Sequence, residues 1–139
     1  MPSKRETILQ RIVTALAGTT GVGSRIYRSR VEPFARGEAP AIVVEPVSDS
    51  ATQDTLGTLQ WTMNVRVAVI VRGSVPDQLA DPVMLDVHSK LMGDATLGGY
   101  VIDMLPTTVS FESIEADQPV GVVSAEFSVT YRTALNSLS

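Results

Sequence analysis

The chain of 139 residues lacks cysteine, has one histidine and is poor in aromatic residues, which make up 5% of it. Without cysteine it cannot be a disulfide-stapled scaffold, a thiol enzyme or a zinc–thiolate protein. The single histidine, His88, excludes a metal site built on two histidines, and any Ser-His-Asp triad would have to use it. These absences leave little room for catalysis.

Long apolar runs and an excess of basic residues are also missing. The apolar runs fall far short of the ~20 residues that span a bilayer, and Met1 leads into a polar segment without the apolar core of a signal peptide. The net charge of −4 argues against general nucleic-acid binding, which needs a basic surface. With 44% apolar residues the chain can bury a core, so we expect residues 1–139 to form one soluble, intracellularly made domain with no membrane partner.

The first third of the chain predicts a helix followed by short extended segments. Ser3 to Glu6 has the pattern of a capping box, and the apolar residues that follow at helical spacing end at Gly18. A short extended segment is expected near Ile26 to Val31. Ala41 to Val44 predicts a short buried strand, which Pro46 closes.

The clearest pattern in the sequence is a long alternation of apolar and polar residues from Leu59 to Val71. It predicts a long strand with one buried face, while Ala68 and Ile70 interrupt the polar face and indicate that both faces are covered there. The polar run before it, Ser48 to Gly57, has no apolar period and no chemistry for a two-residue hairpin turn. We interpret this run as a mobile loop that projects beyond the core and contacts a partner.

The second half predicts one more helix and a hairpin. The helix is expected to start near Asp77 or Asp81, and Asp81 followed by Pro82 suits an N-cap with proline at the first helical position. Val109 to Glu112 and Val123 to Arg132 alternate and predict an antiparallel pair of strands. The order of elements predicts an α+β fold, with a mainly antiparallel mixed sheet and two helices packed against it.

Charge is divided unevenly along the chain. The first thirty residues carry Lys4, Arg5, Arg11, Arg25, Arg28 and Arg30 against one acid, Glu6, whereas the stretch from Asp77 to Asp117 carries eight acids against one base, Lys90. A monomer gains little from this division, because exposed ion pairs contribute about 0–1 kcal/mol each. A subunit that meets its own copies head to tail gains complementarity, and a closed contact of that kind makes a ring.

The candidate interface for a subunit or partner follows from this division. It comprises Arg25, Arg28, Arg30, Asp77, Asp81, Asp86, Asp49 and Asp54. The three arginines surround Tyr27 and have three open interpretations: they contact phosphates, form the solvated face of an edge strand, or meet the acidic patch of a neighbouring subunit.

Motifs for chemistry are weak or missing. Gly21-Val22-Gly23 lacks the third glycine of a dinucleotide-binding loop and follows no strand. The acids between Asp77 and Asp117 lack the spacing of a calcium loop. We therefore assign no catalytic, cofactor-binding or metal-binding residue, and expect no cofactor and no enzyme activity.

Several segments together resemble the tail terminator proteins of long-tailed bacteriophages and prophages, the minor tail protein U-like group. They are Arg25 to Arg30 followed by Pro33, Ala39 to Val44, Leu91 to Gly99 with its D-x-T-L-G-G stretch, and the closing strand Ala125 to Thr133. The similarity runs through most of the chain in matching order and spacing.

The resemblance implies a structural role in the virion tail, assembled in the cytoplasm of a host bacterium. Such proteins form a hexameric ring of copies, cap the tail tube protein, stop its polymerisation and offer a surface to the head–tail connector protein. The lumen of such a ring allows non-specific contact with DNA. Two alternatives stay open: another head–tail connector or head-completion subunit, and a small-molecule-binding α+β domain.

Overall fold

The computed structural model describes residues 2–29, 40–114 and 119–138. Its elements, in chain order, are α1 (Lys4–Leu16), β1 (Ile26–Arg28), β2 (Ala41–Thr55), β3 (Thr58–Arg72), α2 (Pro76–Met92), β4 (Asp103–Ile114) and β5 (Val120–Ala134). The strands form one sheet in the order β1-β2-β3-β5-β4, in which β1 is parallel to β2 and all other neighbours are antiparallel. The predicted α+β class, with a mainly antiparallel mixed sheet and two helices, is confirmed.

Both helices pack on one face of the sheet and close the main core. α1 buries Ile8, Leu9, Ile12 and Leu16, and α2 buries Ala80, Val83, Val87 and Leu91. α1 contacts β1 and β2, whereas α2 lies mainly against β3 and β5. β4 therefore forms an edge of the sheet that the helix layer covers only in part. In the described part of the chain, neither helix is both long and apolar enough to cross a bilayer.

The predicted long strand is confirmed as β3. Its buried face runs from Met63 to Val71, and Ala68 and Ile70 on the other face are also buried, with 7% and 8% of their surface exposed. Val43 joins them, and Tyr27 packs against this second, smaller cluster. Both faces of the sheet are thus covered near this end of β3, as the sequence predicts.

The interpretation of Ser48 to Gly57 as a loop is wrong. β2 continues through this run to Thr55 and pairs with β3. A two-residue turn of Leu56 and Gly57 joins the strands, and Gly57 has a φ of +83°, a conformation that suits glycine. The period of two is hidden in the sequence because the register shifts after Pro46 and again after Gln53.

The tip of this hairpin still projects from the sheet. Leu56 is 96% exposed there. Its contact with a partner stays a prediction.

The starts of the helices differ in detail from the predictions. The Ser3 hydroxyl accepts a hydrogen bond from the backbone N–H of Glu6 at 3.2 Å, but the Glu6 carboxylate binds Arg28, so only half of the capping box forms. α2 begins at Pro76, near Asp77 as predicted, and Pro82 lies inside the helix. The alternative start at Asp81 is wrong, because Pro76 already occupies the first turn, where a missing N–H costs least.

The predicted hairpin of the last two strands is also confirmed. β4 and β5 pair antiparallel, with Val109 opposite Ala125 and Phe111 opposite Val123. Residues directly opposite each other point to the same face of the sheet. Val109 and Phe111 therefore lie on the face that carries the helices, at the edge that the helices leave uncovered.

Candidate subunit interface

The order of the strands places Arg25 and Arg28 at one edge of the sheet, and Asp77 and Asp81 lie beside the other edge. β1, with Arg25 just before it and Arg28 at its end, is one edge of the sheet. β4 is the other edge, and the start of α2 with Asp77 and Asp81 lies beside it. Arg30, the third predicted arginine, lies outside the described residues.

Arg28 is paired inside the chain. Its Nη1 and Nη2 atoms donate to Oε2 and Oε1 of Glu6, each at 3.0 Å. This bidentate pair lowers the pKa of Glu6, and the hydrogen bond from Arg28 is the main cause. The charge of Arg28 is therefore compensated within one copy, which weakens its assignment to an interface.

Arg25 is fixed in place and has no charged partner among the described residues. Its Nε donates to the carbonyl oxygen of Pro40 at 2.8 Å, and its Nη2 donates to the carbonyl oxygen of Gly21 at 2.7 Å. Within residues 2–29, 40–114 and 119–138, it forms no ion pair with an acid. A guanidinium has five N–H donors, so three of them remain available.

Asp86 is occupied inside the fold. Its carboxylate accepts hydrogen bonds from the backbone N–H of Thr20 at 2.8 Å and from the Thr20 hydroxyl at 3.2 Å, and it lies 3.6 Å from the Lys90 ammonium. The backbone hydrogen bond from Thr20 is the main reason that the pKa of Asp86 is lowered. Asp86 thus ties α2 to the turn between α1 and β1.

Asp49 belongs to a closed network that we call the Asp49 cluster. The cluster consists of Arg5, Asp49, Trp61, Tyr131 and Thr133. Asp49 accepts a hydrogen bond from Arg5 Nε at 2.6 Å and another from the Tyr131 hydroxyl. Trp61 donates to Thr133 at 2.9 Å, and its ring stacks on that of Tyr131 with 6.2 Å between the centroids.

Tyr131 and Thr133 are buried in the Asp49 cluster, whereas the Arg5 side chain is 34% exposed. The Asp49 side chain is only 9% exposed. The hydrogen bond with Asp49 raises the pKa of Arg5, while burial, followed by the hydrogen bond to Asp49, raises the pKa of Tyr131. The loop expected around Asp49 is therefore a strand, and the Asp49 carboxylate stabilises the contact between α1 and the sheet. The role of Asp49 in an interface stays a prediction.

Sequence reasoning missed this network because it treated the surrounding segment as a loop. Once β2 is a strand, Asp49 lies opposite Met63, on the face that the helices cover. Knowledge of how β2 pairs with β3 would have placed Asp49 on the covered face and so identified the network. Asp54 lies further along the same strand, close to the hairpin turn.

Among the described acids of the candidate interface, leaving Asp54 aside, Asp77 and Asp81 are the ones without a partner. They lie on the side of α2 that faces β4, and their carboxylates make no hydrogen bond or ion pair with any part of the chain that the structure describes. Together with apolar residues they line a space of about 300 Å³ between α2 and β4, which we call the α2–β4 groove. Its other main lining residues are Met84, Leu85, His88, Val109 and Phe111.

The apolar walls of the α2–β4 groove are unusually exposed. Leu85 is 64% exposed, Val109 49% and Phe111 70%. Apolar surface of this kind beside an edge strand often marks a contact with another chain. Pro106 and the register shift after it interrupt the first part of the β4 edge, whereas Thr108 to Ser113 continues without proline.

The groove has the character of a binding surface. Among the described residues no group of three or more His, Cys, Asp or Glu side chains is placed to hold a metal ion. His88, the single histidine, lies exposed on the wall of the groove. No protein-family model matches the chain, and no curated protein matches it.

Proposed function

We propose that this protein is a tail terminator: a structural virion protein whose copies form a ring, cap the tail tube and end its polymerisation. The observation that carries the proposal is that charges of opposite sign, without charged partners among the described residues, lie on opposite edges of one sheet. Arg25 lies at the β1 edge, and Asp77 and Asp81 lie at the β4 edge. The resemblance of the sequence to the tail terminator family supports the same role.

Complementary surfaces on opposite edges favour a head-to-tail contact. A contact with twofold symmetry joins the same patch on both subunits, so a patch built on one edge alone would place acid against acid or base against base. A head-to-tail contact instead joins the basic edge of one copy to the acidic edge of the next. When its rotation closes, the product is a ring, for which the family resemblance implies six copies.

Within the virion, the proposed ring has two further partners. The tail tube protein binds one side of it, and the head–tail connector protein binds the other. A head-completion or connector subunit would also form a ring through head-to-tail contacts. It differs from a terminator in the partner that it recognises.

Binding of a small molecule is the second candidate function, and the α2–β4 groove is the observation that favours it. A space of about 300 Å³ is at the small end of ligand sites, and apolar walls with a few polar groups are typical of them. The groove is open along an exposed edge strand, however, and enclosed sites bury most of a ligand. This geometry favours a protein partner.

The proposal is tested by adding the purified protein to growing tail tubes of the same phage or prophage. We expect rings at tube ends in negatively stained electron micrographs, and no further growth when fresh tube protein is added. Heat-unfolded protein serves as the control. Tubes that grow equally fast with and without the native protein would contradict the proposed function.

A further inference from the structure

We infer that the α2–β4 groove of one copy receives the Arg25 edge of the next copy, so that Asp77 and Asp81 bind Arg25 across the subunit boundary. This inference rests on the proposed function only in taking the ring as its product. It names the two halves of the contact between copies and the residues that pair there.

The first argument is the state of the charges in one copy. Arg28, Asp49 and Asp86 are paired internally. Arg25, Asp77 and Asp81 are the members of the described candidate set, leaving Asp54 aside, that lack a charged partner in the parts of the chain that the structure describes. They also lie on opposite edges of the sheet, where a neighbouring copy can reach them.

The second argument is geometric. Asp77 and Asp81 are four positions apart on α2, so they lie on the same side of the helix, with their Cβ atoms about 5–6 Å apart. Two carboxylates at this separation match a guanidinium that has three N–H donors left. Because two backbone carbonyls already hold the Arg25 guanidinium, little side-chain entropy remains to be lost when it binds.

Charge disfavours the simplest competing contact between copies. Two grooves facing each other would bring four carboxylates together, and like charges set against each other across an interface oppose association. The acids beside Leu85, Val109 and Phe111 therefore favour a covering surface that carries basic groups. The β1 edge of a second copy meets this requirement with Arg25.

The experiment exchanges the charges of the two halves. The groove variant carries Asp77→Arg and Asp81→Arg, and the edge variant carries Arg25→Asp. By sedimentation velocity, at a concentration at which the parent forms rings, we expect each variant alone to sediment as monomer. A 1:1 mixture restores rings, because groove variant and edge variant can alternate around a ring with an even number of copies.

Controls separate assembly from folding. Arginine in the first turn of α2 opposes the helix dipole, so circular dichroism and urea unfolding of each variant are measured first. If the groove variant does not fold, Asp81→Arg alone replaces it, paired with the same edge variant. Gln78→Arg adds positive charge to the same turn of α2 outside the groove lining, and is expected to leave rings intact.

Four outcomes would overturn the inference. In the first, either variant alone retains parental rings, and in the second, the mixture stays monomeric. In the third, the mixture forms closed dimers and no larger ring, which would show that the basic groove of one variant faces the acidic groove of the other. In the fourth, the groove variant forms rings that fail to cap tubes, which would place a tail tube or connector protein in the groove. If instead the charge exchange restores rings but parental rings never cap tubes, the proposed function fails and this inference stands.

Discussion

The Asp49 cluster and the α2–β4 groove use the same kinds of residue in opposite ways. Both combine carboxylates with aromatic and apolar side chains. In the cluster, Asp49 is buried and bonded to Arg5 and Tyr131. In the groove, Asp77 and Asp81 are exposed beside Phe111, which is itself 70% exposed.

The difference has a physical origin in the cover that the helices provide. A carboxylate under the helix layer loses its hydration, and it is tolerated only with partners. At the β4 edge water replaces these partners, so an acid can stay unpaired. An acidic residue indicates a contact with another chain only where the fold leaves it both uncovered and unpaired beside apolar surface.

The largest effect is expected when a phenylalanine of the buried core and one of the groove are each replaced by alanine. Phe127→Ala, in the core beneath α2, should lower the free energy of unfolding by about 3–5 kcal/mol, because Phe127 is 2% exposed. Phe111→Ala should change it by less than about 1 kcal/mol. Urea unfolding at a low protein concentration, where the chain is monomeric, measures both. If both variants lost the same free energy of unfolding, Phe111 would have to be covered in the monomer.

The next test makes the same substitution at two acids. Asp49→Ala should cost about 3 kcal/mol, the low end for breaking a buried ion pair, because Arg5 can be rehydrated. Asp81→Ala should stay within about 0.5 kcal/mol, as expected of an exposed residue without a partner. Thermal and urea unfolding of the two variants and the parent measure these changes in the free energy of unfolding. A costly Asp81→Ala would reveal an internal role for the groove acid.

A smaller effect is expected when the tyrosine of the Asp49 cluster loses its hydroxyl. Tyr131→Phe leaves the buried Asp49 carboxylate with one hydrogen-bond partner fewer, which should cost about 1–3 kcal/mol at neutral pH. Tyr100→Phe is the matched control, since Tyr100 is 38% exposed.

The cost of Tyr131→Phe should also depend on pH. The fold raises the pKa of Tyr131 above the ordinary value of about 10, so the hydroxyl stabilises the fold fully below that value and loses its effect as the pH rises beyond it. The difference in unfolding free energy between parent and variant should therefore shrink above about pH 10. If the difference in unfolding free energy between parent and Tyr131→Phe stayed constant above that pH, the fold would not raise the pKa of Tyr131.

The smallest effect concerns the pair of Glu6 and Arg28, which lies at the surface near the basic edge. Glu6→Gln should cost less than about 1 kcal/mol at neutral pH. Because the fold lowers the pKa of Glu6, this contribution is present above about pH 4.3 and is lost as the pH falls through the lowered value. Glu112→Gln is the control. If Glu6→Gln still had a lower free energy of unfolding than the parent at the lowest pH, the effect would not come from an ion pair.

Much of the fold is predictable from local patterns. The alternation in β3, the helical spacing in α1 and the hairpin of β4 and β5 each follow from a period of two or of 3.6 residues. β2 is not predictable in this way, because its second half is polar on both faces and its register shifts twice. Its strand conformation comes from backbone hydrogen bonds to β3, which no local period records.

The candidate site was predictable only in part. The division of charge along the chain is visible in the sequence, and the structure places Arg25 and the pair Asp77 and Asp81 on opposite edges. The pairing of Arg28 and Asp49 inside one copy is not visible, because their charged partners are 22 and 44 positions away. For Asp86, the ion pair with Lys90 four positions along the helix is visible, but the hydrogen bonds from Thr20, 66 positions away, are not.

Composition and periodicity were enough to establish the α+β class, the two helices and the basic and acidic stretches, since each depends on neighbouring residues. The strand order and the position of α2 decided which of the charged residues stay exposed and uncompensated. Because burial forces a charge to find a partner and an uncovered edge does not, the tertiary structure pairs Arg28, Asp49 and Asp86 inside one copy. It leaves Arg25, Asp77 and Asp81 without a charged partner among the described residues.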